Sequence, residues 1–250
     1  MTEGEENAMI DSTTLTYEIF HDPREDSNSE FDEGCSGEKY IATDCKSGKK
    51  YLVKHVNYTD AGNEFLGCWL AEKMGVLAPK AYLLTPNPKF KSCAVAIEFL
   101  DGLTGISDEA DHYETAAIFA LHTLLENDDS VQMQGLNGHI CTYDFADSFA
   151  IGDIDWFGSN VPEAFFAFRL RSYRAFLDFT DFDFSLMANN RHLDPDEFNK
   201  KAIAAARKIL DIPDEEFTVL FDELAEIYPT VVVEYYADCI SAIQEKVSEI

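Results

Sequence analysis

The order of strand-like and helix-like segments constrains the fold of this chain more than any other feature of its sequence. Up to about residue 100 the pattern reads as strand, strand, helix, strand and strand, with Gly75 as the candidate end of the helix. A buried helix follows over residues 107–127, and from residue 162 onward the chain is mostly helical. Since strands and helices are segregated rather than alternating, the pattern predicts an α+β fold with two lobes. We expect a partly flexible acidic segment over 1–35 that contains the strand-like run Leu15–Phe20, a β-rich lobe over 36–103 and a helical lobe over 104–250.

The charge of the chain excludes one large class of partner. The 250 residues include 47 acidic and 19 basic side chains, which gives a formal net charge of -28. Phosphate backbones would be repelled over most of such a surface, so we expect no direct nucleic-acid binding. Two explanations of the acidity stay open: it keeps the protein soluble, or one acidic face docks a basic partner or mimics nucleic acid.

The sequence also predicts a cytoplasmic protein with no membrane partner. Its apolar stretches, such as Cys93–Ile97, are too short to span a bilayer, and the acidic N-terminus lacks the basic start of a secretory signal. None of the six cysteines forms a C-x-x-C pair, which favours reduced thiols in a reducing compartment.

A lysine and a glutamate occupy consecutive predicted elements in the β-rich lobe. Lys54 ends the apolar strand Tyr51–Val53, and Glu64 lies near the start of the following helix. In protein kinases a strand lysine paired with a helix glutamate holds the α- and β-phosphates of ATP. The pattern therefore indicates a nucleotide site at Lys54 and Glu64, and the alternative is a lysine that lies in solvent at a strand end.

Two further segments of the same lobe could contact a nucleotide through their backbone. Gly34, Ser36 and Gly37 form a turn before the second strand of the lobe, where small residues let N–H groups approach phosphate oxygens. Glu98 and Leu100 lie in the connection to the helical lobe, where backbone groups can hydrogen-bond the edge of an adenine. The alternatives are an ordinary turn and an ordinary strand exit.

Two acidic sites flank a predicted hairpin in the second half of the chain. Asp129 ends the acidic run after a buried helix, Asp144 follows the hairpin, and Asn137-Gly138 is a strong hairpin-turn signal between them. Folding the hairpin brings the two acids together, so that one could orient a hydroxyl nucleophile and the other could hold Mg²⁺. The alternative is a solvated helix end and a capping aspartate.

The order of these signals resembles that of the HipA-like kinases, and especially of their short stand-alone relatives. The resemblance covers about half of the chain, from Gly34 to Phe149. The matching segments are Gly34-Cys35-Ser36-Gly37-Glu38-Lys39, Tyr51-Leu52-Val53-Lys54, Asn63-Glu64-Phe65, Met74-Gly75-Val76-Leu77-Ala78-Pro79-Lys80-Ala81, Asn127-Asp128-Asp129 and Tyr143-Asp144-Phe145.

The resemblance implies a bilobal kinase-like fold and an ATP- and Mg²⁺-dependent transfer of phosphate to a protein hydroxyl. Carried over residue by residue, Asp129 is the catalytic aspartate, Asp144 is a Mg²⁺ ligand and Ser36 is a candidate autophosphorylation site. The family link to toxin–antitoxin systems implies a protein substrate or an antitoxin-like regulatory partner.

One departure from the family pattern concerns the metal. The family places a metal-binding asparagine five residues after the catalytic aspartate, where this chain has Gln134. Gln134 is thus the second candidate metal ligand. The departure favours an alternative function, a pseudokinase or an acidic protein-binding module without catalysis.

Overall fold

The computed structural model describes residues 9–20, 39–55, 59–87, 94–127, 131–149 and 163–250. The strands in these ranges are β1 (Met9–Ile10), β2 (Leu15–Ile19), β3 (Lys39–Asp44), β4 (Lys50–His55), β5 (Ala81–Leu84), β6 (Ala94–Glu98), β7 (Gln132–Leu136) and β8 (His139–Tyr143). The α-helices are α1 (Asp60–Met74), α2 (Glu114–Leu125), α3 (Glu163–Phe179), α4 (Ser185–Asn190), α5 (Pro195–Arg207), α6 (Asp214–Ala225) and α7 (Thr230–Glu249). The predicted α+β architecture, strands first and helices after, is confirmed.

A six-stranded sheet forms the N-terminal part, in the order β1-β5-β6-β4-β3-β2. Only β1 and β5 pair in parallel among these strands, and the other neighbours are antiparallel. The sheet starts earlier than residue 36, because β1 and β2 form its two edges and both lie within the first 35 residues. The strand-like alternation that begins at Leu15 is part of this sheet.

Side chains on one face of the sheet form a small apolar core, the sheet cluster. Its buried members are Leu15, Tyr40, Ala42, Tyr51, Val53, Tyr82, Leu84, Ala94 and Ala96. Because successive side chains of a strand point to opposite faces, Leu52 and Lys54 of β4 lie on the other face. That face is the one turned toward helix α1, since Ala61 of α1 packs against Val95 and Ile97 of β6.

Helix α1 belongs to the larger of the two cores. This helical core includes the fully buried Leu66, Leu70 and Met74 of α1, Ile118, Leu121 and Leu124 of α2, Tyr173 of α3, Phe198 of α5 and Tyr236 of α7. Helix α1 therefore lies between the sheet and the C-terminal helices and joins the two parts of the fold.

Local sequence explains where several helices begin and end. Gly75 adopts φ 73°, and its left-handed conformation ends α1 while its N–H bonds to the carbonyls of Ala71 and Glu72. Helix α2 begins at Glu114 rather than near residue 107, because the Asp111 side chain accepts the Tyr113 N–H and holds a turn there. None of the helices within the described ranges combines the length and the hydropathy that a bilayer crossing requires.

The second sheet is the predicted hairpin. Strands β7 and β8 pair antiparallel around a two-residue turn in which Asn137 has φ 53° and Gly138 has φ 87°. Two positive φ angles define the turn type that asparagine–glycine sequences favour in hairpins. The hairpin ends at Tyr143, so it delivers Asp144 to the side of the sheet that carries Lys54.

Candidate functional site

Lys54 lies where the sheet meets the helical core. The residue is only 9% exposed to solvent, and its ammonium forms an ion pair with Glu64 of α1. The same Nζ atom lies 2.7 Å from Oδ1 of Asp144. The predicted ion pair between Lys54 and Glu64 is therefore present, and Asp144 is its third member. We call Lys54, Glu64 and Asp144 the charge cluster.

Glu64 uses both of its carboxylate oxygens. One oxygen pairs with Lys54, and Oε2 accepts the backbone N–H of Phe145 at 3.1 Å. The Phe145 ring packs directly on Gly67 of α1, where an added Cβ would overlap the ring. Glycine at this position allows the segment after Asp144 to approach the helix, so one glutamate fixes both the lysine and that segment.

One ammonium faces two carboxylates in the charge cluster. Burial opposes the charged form of Lys54, but Glu64 and Asp144 outweigh this effect and raise its pKa. Burial raises the pKa of the fully buried Glu64, although Lys54 opposes this shift. Burial also disfavours the charged form of Asp144, but Lys54 outweighs it and lowers the Asp144 pKa. With all three groups ionised, the cluster has an excess negative charge that a cation would neutralise.

A buried neutral network positions Asp144. Asn127 donates from Nδ2 to the Asp144 carbonyl at 3.0 Å and to Nδ1 of His122 at 3.1 Å. His122 then donates from Nε2 to the Thr142 hydroxyl, 2.8 Å away, which donates in turn to the Gln132 carbonyl. Asp144 itself has φ 72°, a conformation that aspartate tolerates better than most residues. The network thus holds the backbone that turns the Asp144 carboxylate toward Lys54.

Burial lowers the pKa of His122 to about 4, so the imidazole is neutral at physiological pH. Sequence analysis did not find this residue. A single histidine on an apolar helix has no distinguishing spacing, and its partners Asn127 and Thr142 come from the two sides of the hairpin. Only the tertiary structure brings these three side chains together.

Three more residues on the Lys54 face of the sheet were also missed as site residues. Lys39 pairs directly across the strands with Lys54, and Ile41 pairs with Leu52. Lys39 is half-buried, and its charge contributes to the lowered pKa of Asp144. Ile41 and Leu52 are half-buried and lie outside the sheet cluster. The face therefore offers two cations next to an apolar patch, a combination that suits phosphates attached to an aromatic base.

The side chain of Glu98 lies on the opposite face of the sheet. Glu98 pairs with Tyr51 across the strands, forms an ion pair with Lys49, and accepts the Tyr82 hydroxyl at 3.3 Å. Only the backbone of this connection, including the half-buried Leu100, remains available for the predicted contact with an adenine edge.

The structure does not bring Gln134 next to Asp144. Gln134 pairs with Cys141, three residues before Asp144, so about 10 Å of strand separates their backbones. Among the described residues, no group of three or more histidine, cysteine, aspartate or glutamate side chains could hold a metal ion. The predictions for Asp129, Gly34, Ser36 and Gly37 lie outside the described residues.

Comparison with solved structures defines the class of fold. The crystal structure of a Helicobacter pylori proinflammatory kinase, CtkA, matches 97% of this chain and 99% of that chain, with a TM-score of 0.55 and 13% sequence identity. No protein-family model and no curated protein sequence matches the chain. At this identity the likeness shows the fold, so the chain has a kinase-like bilobal fold, and its membership of the HipA-like family stays a prediction.

Proposed function

We propose that this chain is a HipA-like, ATP- and Mg²⁺-dependent phosphotransferase whose acceptor is a hydroxyl group on a protein. The charge cluster is the observation that carries the proposal. In a kinase-like fold, Lys54 of the sheet meets Glu64 of the adjoining helix and Asp144 after the hairpin. A fold alone would support the function only by analogy, whereas these three residues supply phosphate-binding and metal-binding groups of the kind that phosphoryl transfer uses.

Lys54 binds the nucleotide phosphates in this proposal. Glu64 and Asp144 hold its ammonium in place, so little side-chain entropy is lost when a phosphate binds. Lys39 adds a second positive charge on the same sheet face, opposite Lys54. The half-buried Ile41 and Leu52 contact the base, and the predicted turn at Gly34, Ser36 and Gly37 covers the phosphates.

Asp144 is the metal-binding residue of the proposal. Its side chain is 38% exposed, whereas Glu64 is fully buried with both oxygens engaged. Mg²⁺ is commonly held by one or two carboxylates together with substrate phosphates, and the partly exposed Asp144 carboxylate suits that role. When bound, Mg²⁺ neutralises charge on the transferring phosphoryl group. Asp129 accepts the proton of the attacking hydroxyl.

The family resemblance supports the remaining parts of the proposal. The acceptor is a protein substrate, the regulatory partner is antitoxin-like, and the compartment is the cytoplasm. Ser36 is an autophosphorylation site if transfer occurs within the molecule, and mass spectrometry of protein incubated with ATP tests this directly.

A specific observation favours one second candidate, a pseudokinase. Gln134 replaces the metal-binding asparagine of the family, and the hairpin register separates it from Asp144. A site with a single metal-binding carboxylate could bind nucleotide without transferring phosphate. Such a protein would act through a partner docked on its acidic surface.

Nucleotide titration followed by a transfer assay tests the proposal. Thermal unfolding of the wild type would be followed with ATP, with and without MgCl₂, and labelled ATP would then report transfer. ATP plus Mg²⁺ at about 100 times the Kd should stabilise the protein by about 2.7 kcal/mol. Lys54→Met should abolish this stabilisation, and Asp144→Asn should remove only its Mg²⁺-dependent part. Lys49→Met is the matched control, because Lys49 lies on the other face of the sheet.

The outcomes separate the two candidates. Transfer by the wild type, lost in Asp129→Asn with nucleotide binding retained, supports the phosphotransferase. Stabilisation by ATP without any transfer supports the pseudokinase. Neither stabilisation nor transfer in the wild type, or equal effects of Lys54→Met and Lys49→Met, would rule out both.

A further inference from the structure

The C-terminal helix contributes a buried hydroxyl to the elements that carry the charge cluster. Tyr236 of α7 is fully buried, and its hydroxyl lies 2.9 Å from Oδ1 of Asn63 and 3.0 Å from the Thr59 carbonyl. Both partners lie at the start of α1, and Asn63 directly precedes Glu64. The last helix of the chain is therefore hydrogen-bonded to the helical turn that carries the glutamate of the cluster.

Asn63 passes this connection on to the segment after Asp144. It is 1% exposed, and its Nδ2 donates to the carbonyls of Ala146 at 2.6 Å and Ser148 at 2.9 Å. Its Oδ1 faces the Tyr236 hydroxyl, so both ends of the amide are engaged. A buried amide held at both ends has one orientation, and that orientation fixes α1 relative to the segment.

A second tyrosine of α7 holds the far end of the same segment. Tyr235 is 2% exposed and donates its hydroxyl to the Phe149 carbonyl. The Phe149 N–H in turn donates to the carbonyl of Leu125 at the end of α2. Two side chains, Asn63 and Tyr235, thus hold three backbone carbonyls between residues 146 and 149.

The packing around this network leaves α1 little room to move. A Cβ added at Gly62 would lie 2.7 Å from the Tyr236 hydroxyl, so the tyrosine packs directly on the helix backbone. An outward rotation of α1 would leave the polar groups of Asn63 and Tyr236 buried without partners, which is costly.

We infer that Asn63, Tyr235 and Tyr236 are positioning residues that hold Glu64 and the segment after Asp144 in place before any ligand binds. We call them the tyrosine–asparagine clamp. The charge cluster is then assembled in the free protein, and the C-terminal helix, rather than a movement of α1 on ligand binding, sets its geometry. The effect of the clamp on catalysis rests on the proposed function. The structural content of the inference, which is the fixed placement of Glu64 and of the segment after Asp144, does not.

Hydrogen exchange of the full-length protein tests the structural content. The Phe145 N–H, bonded to Glu64, and the Phe149 N–H, bonded to Leu125, report whether the segment stays closed. In Tyr236→Phe and Asn63→Ala these amides should exchange at least about tenfold faster than in the wild type, because a buried hydrogen bond is lost. Tyr17→Phe is the control: it removes a hydroxyl that donates to the Ser12 carbonyl at the β2 edge of the six-stranded sheet, away from the reporting amides.

Exchange that stays within about twofold of the wild type in folded Tyr236→Phe overturns the inference, as does equal acceleration in Tyr17→Phe. Tyr236→Phe loses only one oxygen atom, so the test does not depend on Asn63→Ala folding.

Steady-state kinetics test the positioning role. In Tyr236→Phe, kcat should fall about fivefold or more while the KM for ATP stays within about twofold, because geometry changes and the binding groups remain. Tyr17→Phe should leave both constants unchanged. Faster exchange with unchanged kcat would overturn the positioning role. A wild type that shows no transfer would remove the proposed phosphotransferase, and the exchange comparison would still decide the structural content.

Discussion

A lysine–glutamate pair lies near each end of strand β4, with Lys54 inside the strand and Lys49 just before it, and the two pairs lie in different surroundings. At the inner end, the Lys54 and Glu64 side chains are 11% and 0% exposed. At the outer end, Lys49 pairs with Glu98, and these side chains are 38% and 24% exposed. Tyr51 and Tyr82 lie beside Lys49, with ring centroids within 5.6 Å of its ammonium.

The comparison shows that burial, and not the ion pair itself, decides how strongly each pair should contribute to stability. Water can solvate either partner of the outer pair if the other is removed, so such pairs contribute little. Neither partner of the inner pair has that alternative. Lys54 belongs to the sheet and Glu64 to a helix of the helical core. Their ion pair therefore depends on the relative position of the sheet and that core.

Removing the inner lysine should have the largest effect. Lys54→Met leaves Glu64 buried with only the Phe145 N–H, which should lower the free energy of unfolding by about 3–5 kcal/mol. The double variant Lys54→Met/Glu64→Gln should recover most of this loss, because glutamine keeps an acceptor for that N–H. Urea unfolding measures both, and a single variant as stable as Lys49→Met would contradict the comparison.

Filling the space under Phe145 should have the next largest effect. In Gly67→Ala the new methyl group overlaps the Phe145 ring, so α1 and the segment after Asp144 must separate. We expect a loss of about 2–3 kcal/mol in the free energy of unfolding. Gly105→Ala is the control, since a Cβ there meets no atom within 4 Å, and an equal loss in both variants would argue against this packing.

The neutral His122 next to the inner pair gives a pH-dependent effect. Burial holds its pKa in the folded protein at about 4, below the ordinary histidine value of 6.5. The unfolded chain therefore takes up the proton first, so the contribution of His122 is complete above pH 6.5 and is lost as the pH falls toward about 4. Between about pH 7 and pH 5 this loss should be about 2 kcal/mol.

The variant His122→Gln isolates this effect from other titrating groups. Glutamine lacks the titration, so the difference in unfolding free energy between wild type and variant should shrink as the pH falls. Urea unfolding at both pH values measures it. A difference that does not change with pH would show that His122 is not held neutral.

Breaking the outer pair should have the smallest effect. Glu98→Gln removes the charge partner of Lys49 but keeps an acceptor for the Tyr82 hydroxyl. The free energy of unfolding should change by less than about 1 kcal/mol, and less again at high salt. A loss comparable to that of Lys54→Met would mean that this end of β4 is also held by a buried pair.

Sequence reasoning was most successful where structure depends on local chemistry. The Asn137-Gly138 turn and the end of α1 at Gly75 both depend on left-handed backbone conformations that these residue types favour. The pairing of Lys54 with Glu64 was predicted from the strand–helix order together with knowledge of kinases, and it is present. The strand-like run at Leu15 was also recognised, although its place at a sheet edge was not.

Residues whose partners are distant in the chain could not be found in this way. Lys39 faces Lys54 only because β3 and β4 pair in one register, and a shift of one residue would turn it to the other face. Asn63 looks like an ordinary helix residue until Tyr236, 173 positions away, reaches it.

The sequence by itself determined the local elements, the two-lobed α+β class and the candidate pair of Lys54 and Glu64. Their causes act over a few residues: side-chain periodicity, turn conformations and helix ends. Only the tertiary structure decided that α1 lies in the helical core, that Asp144 completes the cluster and that α7 holds both in place. Those facts depend on packing between elements far apart in the chain, where burial removes water as an alternative partner and leaves each polar group one arrangement that satisfies it.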